Sequence, residues 1–356
     1  MYMSFPAIRG KQGKRDFYVA MFPLGVIPRL FKFVDYTELP PEQRAQRALL
    51  RKRVPEIARY MLENEDGWVF SSLTASFTAD ESFEPTGENP NIGILQLPLD
   101  TEFSINDGQH RRAAIEEAMK MNKGLETETI SVVLFPREDL ERDQQIFSDL
   151  NRTVQKTSRS LDILYDHRDP MNSLTLEISE KVAAFRGRVE KDRVSLSARS
   201  RNFVTLSGLY DATKQLLGKL PADADEDALA DASAKAVEFW NAVSDNIHEW
   251  RQVAEKTAEP KDIRSETIAS TAVALWALGS AGKELLEQHP KDWEERLGHL
   301  GEIDWRKTNP EWQGICMLGS DVVTRRQTKD ATAQYIKWQL GLTSSKPQTV
   351  LATAAA

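Results

Sequence analysis

The sequence predicts an α/β domain with a mixed sheet over residues 1–166, followed by an all-helical domain over residues 167–342. Two observations lead to this division. Strand-like and helix-like segments alternate up to about residue 165, which is typical of an α/β fold. After HRDP at 167–170, apolar residues keep a helical period and strand signals largely stop. The small, polar tail over 343–356 is predicted to be disordered.

The elements of the first domain follow from local composition and spacing. Pro40 and Pro41 lead into the helical run EQRAQRALLRKR, and a second helix is indicated by the spacing of Val54, Ile57 and Met61. Residues 108–121 and 139–152 also have helical spacing. Four short segments rich in β-branched and aromatic residues predict strands: WVFSSLTASFT, GILQLPLD, FSIND and TISVVLF.

The second domain is predicted from apolar residues spaced along helices. One such series runs from Leu229 through Phe239 and Trp240 to Ile247. The uncharged run over 267–282 is shorter than the roughly 20 apolar residues that a membrane span needs, so it predicts a buried helix. Most of the tryptophans in this half are expected in the core, with an interface to other proteins as the alternative.

Composition narrows the possible functions. With a net charge of −8 and a pI near 5.4, the chain is not expected to hold nucleic acid or membrane through bulk charge, so a polyanion would need a local basic patch. Cys316 is the one cysteine, which excludes a disulfide framework and a cysteine-rich zinc site and fits a reducing, cytoplasmic setting. The N-terminal stretch lacks the apolar core of a secretory signal. The five histidines are scattered, so no metal site is predicted.

Three local clusters reverse the acidic balance and are candidates for contact with a phosphate backbone. Residues 44–59 hold six basic residues against one acid, residues 186–201 hold six against two, and residues 9–15 add four more. A solvated surface is the alternative for each cluster taken alone. The candidate DNA-binding residues are Arg44, Arg47, Arg51, Lys52, Arg53, Arg186, Arg188, Lys191, Arg193, Arg199 and Arg201.

The stretch INDGQHRRAAIEEAMK, at 105–120, predicts a junction of strand, turn and helix. Phe103 and Ile105 end the strand, Asp107 is expected to cap the helix by accepting backbone N–H bonds, and Gly108 lets another group approach the first turn. The junction places free N–H groups and the positive end of a helix dipole beside two arginines.

The helical wheel distinguishes these two arginines. Arg111 falls with the apolar stripe formed by Ala114, Ile115 and Ala118, whereas Arg112 falls at the edge of the stripe and is expected to reach a ligand or solvent. A guanidinium on the core face needs a partner. A phosphate and an internal carboxylate each meet that need, and chemistry alone does not choose between them.

The motifs FPAIRG, LPPEQRAQR, INDGQHRRAAI and IFSDLNRTVQKTSRSLDILYDHRDP resemble the DndB family, whose members are encoded beside the DNA phosphorothioate modification enzymes of bacteria. The resemblance covers most of the chain. It implies a regulator that binds double-stranded promoter DNA of the modification operon and represses transcription, with other phosphorothioation proteins as further partners. We also expect a homo-oligomer and no membrane association.

The same motif resembles the G-x-x-R-x-x-A box of the ParB and sulfiredoxin superfamily, carried here by Gly108, Arg111 and Ala114. This likeness implies a ParB/sulfiredoxin-like first domain and a site for nucleotide phosphates. FSDLNR resembles a second ParB helix, although Ser148 stands in place of a glutamate. The implied phosphate-binding residues are Gly108, Gln109, Arg111, Arg112, Asp149 and Arg152, with ATP or CTP and Mg²⁺ as the cofactor.

Three functional hypotheses therefore remain open. The first is the DNA-binding repressor. The second is a nucleotide-binding enzyme that hydrolyses NTP or nicks DNA, for which Asp107, His110 and Arg111 are the catalytic candidates. The third is a scaffold that contacts the modification proteins through its helical half.

Overall fold

The structure is a computed structural model, and the residues it describes are 1–31, 51–152, 157–220 and 225–351. The chain divides into two compact units, Met1–Gln155 and Lys156–Ala356. They are called unit 1 and unit 2, and each is described by itself.

Unit 1 is built on a seven-stranded sheet with the order β4-β5-β1-β2-β7-β3-β6. Only β3 and β7 are parallel neighbours among these strands, so the sheet is mixed, as the sequence predicts. The strands are β1 (Tyr2–Gln12), β2 (Arg15–Pro23), β3 (Leu73–Thr78), β4 (Ser82–Pro85), β5 (Ile92–Pro98), β6 (Glu102–Asp107) and β7 (Thr129–Pro136). The helices are α1 (Ile27–Leu30), α2 (Val54–Glu63), α3 (Gln109–Met121) and α4 (Leu140–Arg152).

Four predicted strands and three predicted helices are confirmed, whereas the N-terminal hairpin of β1 and β2 was missed. This hairpin turns through Gly13 and Lys14, whose φ angles of +56° and +68° are those of a two-residue turn suited to antiparallel strands. The basic residues at the tip and Pro6 within β1 obscured the alternation of buried and exposed positions. The helix predicted over EQRAQRALLRKR lies outside the described residues, apart from a 3₁₀ turn at Arg51–Arg53.

Helix α3 packs against the sheet through the apolar stripe that the helical wheel predicts. Ala114, Ile115 and Ala118 are each 0% exposed and belong to the core of unit 1. Aromatic residues from several strands and from the segment after α1 fill that core, with Phe31 in contact with Phe22 and Phe103. The core therefore fixes the start of α3 against the sheet.

Unit 2 is largely helical. Its helices are α5 (Arg159–Tyr165), α6 (Pro170–Lys181), α7 (Leu206–Leu217), α8 (Glu226–Asn246), α9 (His248–Ala254), α10 (Pro260–Glu266), α11 (Ala272–Gln288), α12 (Trp293–Leu297) and α13 (Arg326–Gln339). The prediction of an all-helical second half is wrong in one respect, because two small sheets are present. These pair β8 (Val189–Glu190) with β9 (Val204–Thr205), and β10 (Met317–Leu318) with β11 (Asp321–Val322).

Helices α7 and α11 pack against each other in unit 2. A Cβ atom at Gly279 would lie 2.1 Å from the backbone oxygen of Ala212, so only glycine allows this approach. The predicted buried helix over 267–282 corresponds to α11, and no described helix has the length and apolar character needed to cross a bilayer. Trp240, Trp250 and other tryptophans lie in the core, as expected.

The tail predicted to be disordered is described up to residue 351. In that part, Lys346 forms an ion pair with Glu311 at 2.7 Å. The backbone N–H groups of Val350 and Leu351 donate to the carbonyl of Gly314.

Candidate functional site

The turn between β6 and α3 depends on a glycine. Gly108 has φ +99° and ψ 13° and stands at the N-cap of α3. A Cβ atom built there would lie 2.4 Å from Cδ2 of the fully buried Leu73. The left-handed backbone and this contact together explain why the strand can enter the helix only through a residue without a side chain.

The predicted cap by Asp107 is wrong. No side chain caps α3, and the carboxylate of Asp107 instead accepts a hydrogen bond from Nη2 of Arg111 at 2.5 Å. The capping prediction failed because Gly108, not Asp107, occupies the N-cap position. Asp107 therefore binds a side chain of the first turn of α3, that of Arg111, and not the backbone N–H groups of the helix.

Arg111 lies between the sheet and the start of α3 with 16% of its side chain exposed. Besides Asp107, its guanidinium donates to the carbonyl of Ser71 at 2.5 Å, to the hydroxyl of the same residue, and to the carbonyl of Ser72 at 3.0 Å. Of the two partners that the sequence left open, the internal carboxylate is present. Arg111 thus ties α3 to the segment that leads into β3.

Arg112 does not point outward as the helical wheel predicts. Its side chain is 8% exposed, and it donates from Nε to the carbonyl of Phe31 at 2.9 Å and from Nη2 to that of Pro28 at 3.0 Å. A further hydrogen bond joins it to Glu116. A long side chain can bend away from the direction of its Cβ atom, and one carbonyl within α1 and one directly after it provide the partners. These partners hold the side chain of Arg112 inside unit 1.

A cavity of about 250 Å³ opens at the start of α3. The structure brings five candidates together at its border: Asp107, Gly108, Gln109, His110 and Arg111. They are joined by Arg53, which the sequence assigned to a DNA-binding cluster. The first-turn N–H groups of α3 make this end of the cavity favourable for an anion.

Asn106 is a site residue that the sequence analysis missed. It borders the same cavity, is 0% exposed, and accepts a hydrogen bond from Ser76 at 2.9 Å. Its amide nitrogen is buried without a hydrogen-bond partner among the residues that the structure describes. An unsatisfied buried donor is costly, which marks this nitrogen as a group suited to an acceptor from a ligand. Its position directly before DGQHR was the only available signal.

The second ParB-like segment, FSDLNR at 147–152, reaches the cavity through its first residue and not through Asp149. Asp149 is exposed on α4, accepts a hydrogen bond from Gln145 at 2.6 Å, and is absent from the residues that border the cavity. Phe147, two residues earlier in the same segment, borders it. Arg152 ends α4, and its side chain lies outside the described residues.

Of the first basic cluster, only part can be placed. Arg44 and Arg47 lie outside the described residues, as does the side chain of Arg51. Lys52 and Arg53 are exposed. In the N-terminal cluster, Lys11, Lys14 and Arg15 border a separate cavity of about 350 Å³ at the tip of the β1–β2 hairpin.

The second basic cluster lies in unit 2 and forms the segment between α6 and β9. Two of its cations have acidic partners, since Lys191 pairs with Glu180 at 2.7 Å and Arg193 lies 4.0 Å from Asp192. The remaining four have no carboxylate within ion-pair distance in the part of the chain that is described. These are Arg186, Arg188, Arg199 and Arg201.

Cys316 is buried, as the sequence predicts for a small apolar residue. Burial raises the pKa of its thiol to about 11. Across the described ranges, no group of three or more His, Cys, Asp or Glu side chains is arranged to hold a metal ion.

Comparison with known families gives a match over most of the chain. The model of the DndB family, described as DNA-sulfur modification-associated, matches residues 5–343. The chain belongs to the DndB family. No curated protein and no solved structure matches it.

Membership in the DndB family confirms the resemblance drawn from DGQHR and its neighbouring motifs. The match includes both units, so the cavity at α3 and the basic segment 186–201 are both parts of a DndB chain. It associates the protein with DNA sulfur modification systems.

Proposed function

We propose that this DndB-family protein binds double-stranded DNA at the promoter of the phosphorothioate modification operon and represses its transcription. The observation that carries the proposal is the group of four arginines in segment 186–201 that no described carboxylate neutralises. In a chain with a net charge of −8, such a group provides the local positive field that a polyanion needs.

Arg199 and Arg201 are the best placed of the four. Both are exposed, whereas Arg188 is half-buried and Arg186 donates hydrogen bonds to the carbonyls of Glu180 and Lys181 near the end of α6. Phosphate contacts from arginine release counterions and position a protein on the duplex without reading its bases. We therefore assign Arg199 and Arg201 to the DNA backbone.

The test is a salt titration of DNA binding. The double variant Arg199→Gln/Arg201→Gln should weaken binding and make the negative slope of log K against log salt shallower by about 1.8, which corresponds to the loss of two phosphate contacts. The control is Arg306→Gln/Arg326→Gln, which removes the same charge from arginines already paired with Asp304 and Asp330.

Equal effects of the two double variants would refute the assignment to Arg199 and Arg201. Repression at the promoter is tested separately, by comparing the affinity for promoter DNA with the affinity for an unrelated duplex of equal length. Equal affinities for the two duplexes would refute repression by direct promoter binding. Pull-down of the modification proteins without any DNA affinity would favour the scaffold hypothesis.

A second candidate function is supported by the cavity at α3. We propose that it holds a phosphate group of ATP or CTP, with Mg²⁺, as the ParB/sulfiredoxin-like interpretation of unit 1 implies. The supporting features are Arg53, the start of α3 and the unpartnered amide nitrogen of Asn106. The volume of about 250 Å³ lies below the roughly 300 Å³ at which small-molecule pockets begin, so the base would lie outside it.

The carboxylate of Asp107 limits this second proposal to binding. Because it is held by Arg111, it is not poised to accept a proton from an attacking water. It also places a negative charge beside the cavity, so Asp107→Asn should strengthen nucleotide binding. Arg53→Gln should weaken binding, whereas Lys52→Gln, the exposed neighbour that does not border the cavity, should leave it unchanged.

These three variants are compared by titration with ATP and with CTP, each in the presence of Mg²⁺. Opposite effects of Asp107→Asn and Arg53→Gln are the expected result. Binding that is weakened by Asp107→Asn, or that is indifferent to Arg53→Gln, would refute a phosphate in this cavity.

A further inference from the structure

A second cavity, in unit 2, has the features of an anion site, and no sequence motif pointed to it. Its volume is about 260 Å³, and it lies at the start of α11, the 17-residue helix that packs against α7 and α13. Segment 194–196, from the second basic cluster, forms one side of it, and Arg264 of α10 borders it as well.

The start of α11 provides backbone donors. Thr271 is the N-cap, and its hydroxyl accepts a hydrogen bond from the N–H of Ala274 at 3.3 Å. The N–H groups of the two preceding helical residues, Ala272 and Val273, have no partner within the helix. They lie at the positive end of a long helix dipole, where an anion is stabilised.

Ser270 gives an independent indication of a ligand. It borders the cavity, is 6% exposed, and its hydroxyl is buried without a hydrogen-bond partner among the described residues. A buried hydroxyl without a hydrogen-bond partner lowers the free energy of unfolding. An acceptor on a bound ligand would satisfy this hydroxyl and remove that destabilisation.

Arg264 brings a positive charge that no acid neutralises among the residues that the structure describes. Its Nη1 and Nη2 atoms donate to the carbonyls of Ser197 at 3.1 Å and Ser200 at 2.6 Å. Its Nε atom is buried and, within the described part of the chain, has no acceptor. Burial lowers the pKa of this guanidinium, which shows that the charge is partly removed from water.

We propose that this cavity binds a phosphate group, held by the start of α11, the hydroxyl of Ser270 and the guanidinium of Arg264. The size fits a phosphate or a phosphodiester, since it is smaller than the roughly 300 Å³ at which small-molecule pockets begin. The site is independent of the DNA-binding proposal, because a free phosphate compound would satisfy the same donors.

If the phosphate belongs to a DNA backbone, the site acts together with the basic segment. Arg264 holds the carbonyls of Ser197 and Ser200, which flank Arg199. A backbone phosphate in the cavity would therefore lie beside the segment that carries the exposed Arg199 and Arg201. One phosphate would be enclosed, and its neighbours along the strand would meet surface arginines.

The test begins with calorimetric titration of the full chain with inorganic phosphate, against sodium chloride at matched ionic strength. Ser270→Ala should bind phosphate about tenfold more weakly, the effect of losing one hydrogen bond to a charged group. It should unfold at the same or a higher urea concentration than the wild type, because the hydroxyl it removes has no partner among the described residues. Loss of binding without loss of stability distinguishes a ligand contact from a structural one.

Arg264→Gln should also weaken binding, but this variant releases the 197–200 carbonyls as well. Its control is Arg251→Gln, which removes an arginine that likewise donates to backbone oxygen, at Asp245, outside the cavity. That control should bind phosphate as the wild type does. Phosphate binding that survives both Ser270→Ala and Arg264→Gln would overturn the proposal, as would no binding above the chloride baseline.

A competition experiment then distinguishes the source of the phosphate. Displacement of inorganic phosphate from the wild type by a short DNA duplex would support a backbone phosphodiester as the occupant. A duplex that binds without displacing phosphate would support a free phosphate compound. Failure of the DNA-binding proposal would appear separately, as a duplex that does not bind while phosphate still does.

Discussion

Replacing Gly108 by alanine tests the account of the turn that begins α3. Two costs are expected. An L-residue in the left-handed region costs about 1–2 kcal/mol. The new methyl group would also lie 2.4 Å from Cδ2 of Leu73, which is fully buried, and overpacking of this kind costs about 1–3 kcal/mol. The lower entropy of the unfolded alanine chain returns about 0.4–1 kcal/mol. The net loss should be about 1–4.5 kcal/mol.

Two other glycines of unit 1 separate these costs. Gly13 has φ +56°, and a Cβ atom built there would have no neighbouring atom within 4 Å, so Gly13→Ala should show the backbone cost alone, about 1 kcal/mol. Gly67 has neither a positive φ nor a close neighbour, so Gly67→Ala keeps only the lower entropy of the unfolded chain and should stabilise the protein by about 0.4–1 kcal/mol.

The measurement has to report on unit 1. Seven of the eight tryptophans lie beyond residue 156, so tryptophan fluorescence follows mainly unit 2. Hydrogen exchange of peptides from β6 and α3, measured at increasing urea, gives the opening free energy of the relevant part. A Gly108→Ala protein no less stable than the Gly13→Ala protein would refute the steric argument.

Three further predictions concern buried positions. Gly279→Ala should destabilise unit 2 by about 1–3 kcal/mol, because the new Cβ atom would lie 2.1 Å from the carbonyl oxygen of Ala212. Urea unfolding followed by tryptophan fluorescence measures this loss, and an unchanged unfolding midpoint would contradict the contact. Arg112→Met should cost about 2 kcal/mol because buried carbonyls lose their donor, whereas Arg59→Met, at an exposed ion pair, should cost less than about 0.5 kcal/mol. Burial raises the pKa of the Cys316 thiol to about 11, so the reactive thiolate is scarce below that pH. A thiol reagent should therefore react slowly with the folded protein at about pH 8 and quickly once urea unfolds the chain. Rapid reaction of the folded protein would show that the thiol is accessible.

The sequence by itself determined the features that depend on neighbouring residues. Its periodicity and turn chemistry predict the junction at Gly108, the buried face of α3 and the apolar helix α11, because hydrophobic spacing and backbone conformation are local properties. Its motifs identify the DndB family, which the match over residues 5–343 confirms.

Only the tertiary structure decided which polar groups meet. The wheel places Arg111 inward and Arg112 outward, but both side chains are long enough to follow their partners, and the carbonyls of Phe31 and Pro28 draw Arg112 into the protein. Those partners lie some 80 positions away along the chain, so no local pattern could reveal them.

The two cavities show the same limit. Arg53 and Asn106 meet at the start of α3, and segment 194–196 meets Arg264 and Ser270 at the start of α11. The neighbouring sequence of each of these residues carries no sign of a binding site. Only the packing of distant segments brings their donors to the wall of a shared cavity. Sequence patterns record which face of an element is apolar, whereas a binding site depends on contacts between elements that are distant in the chain.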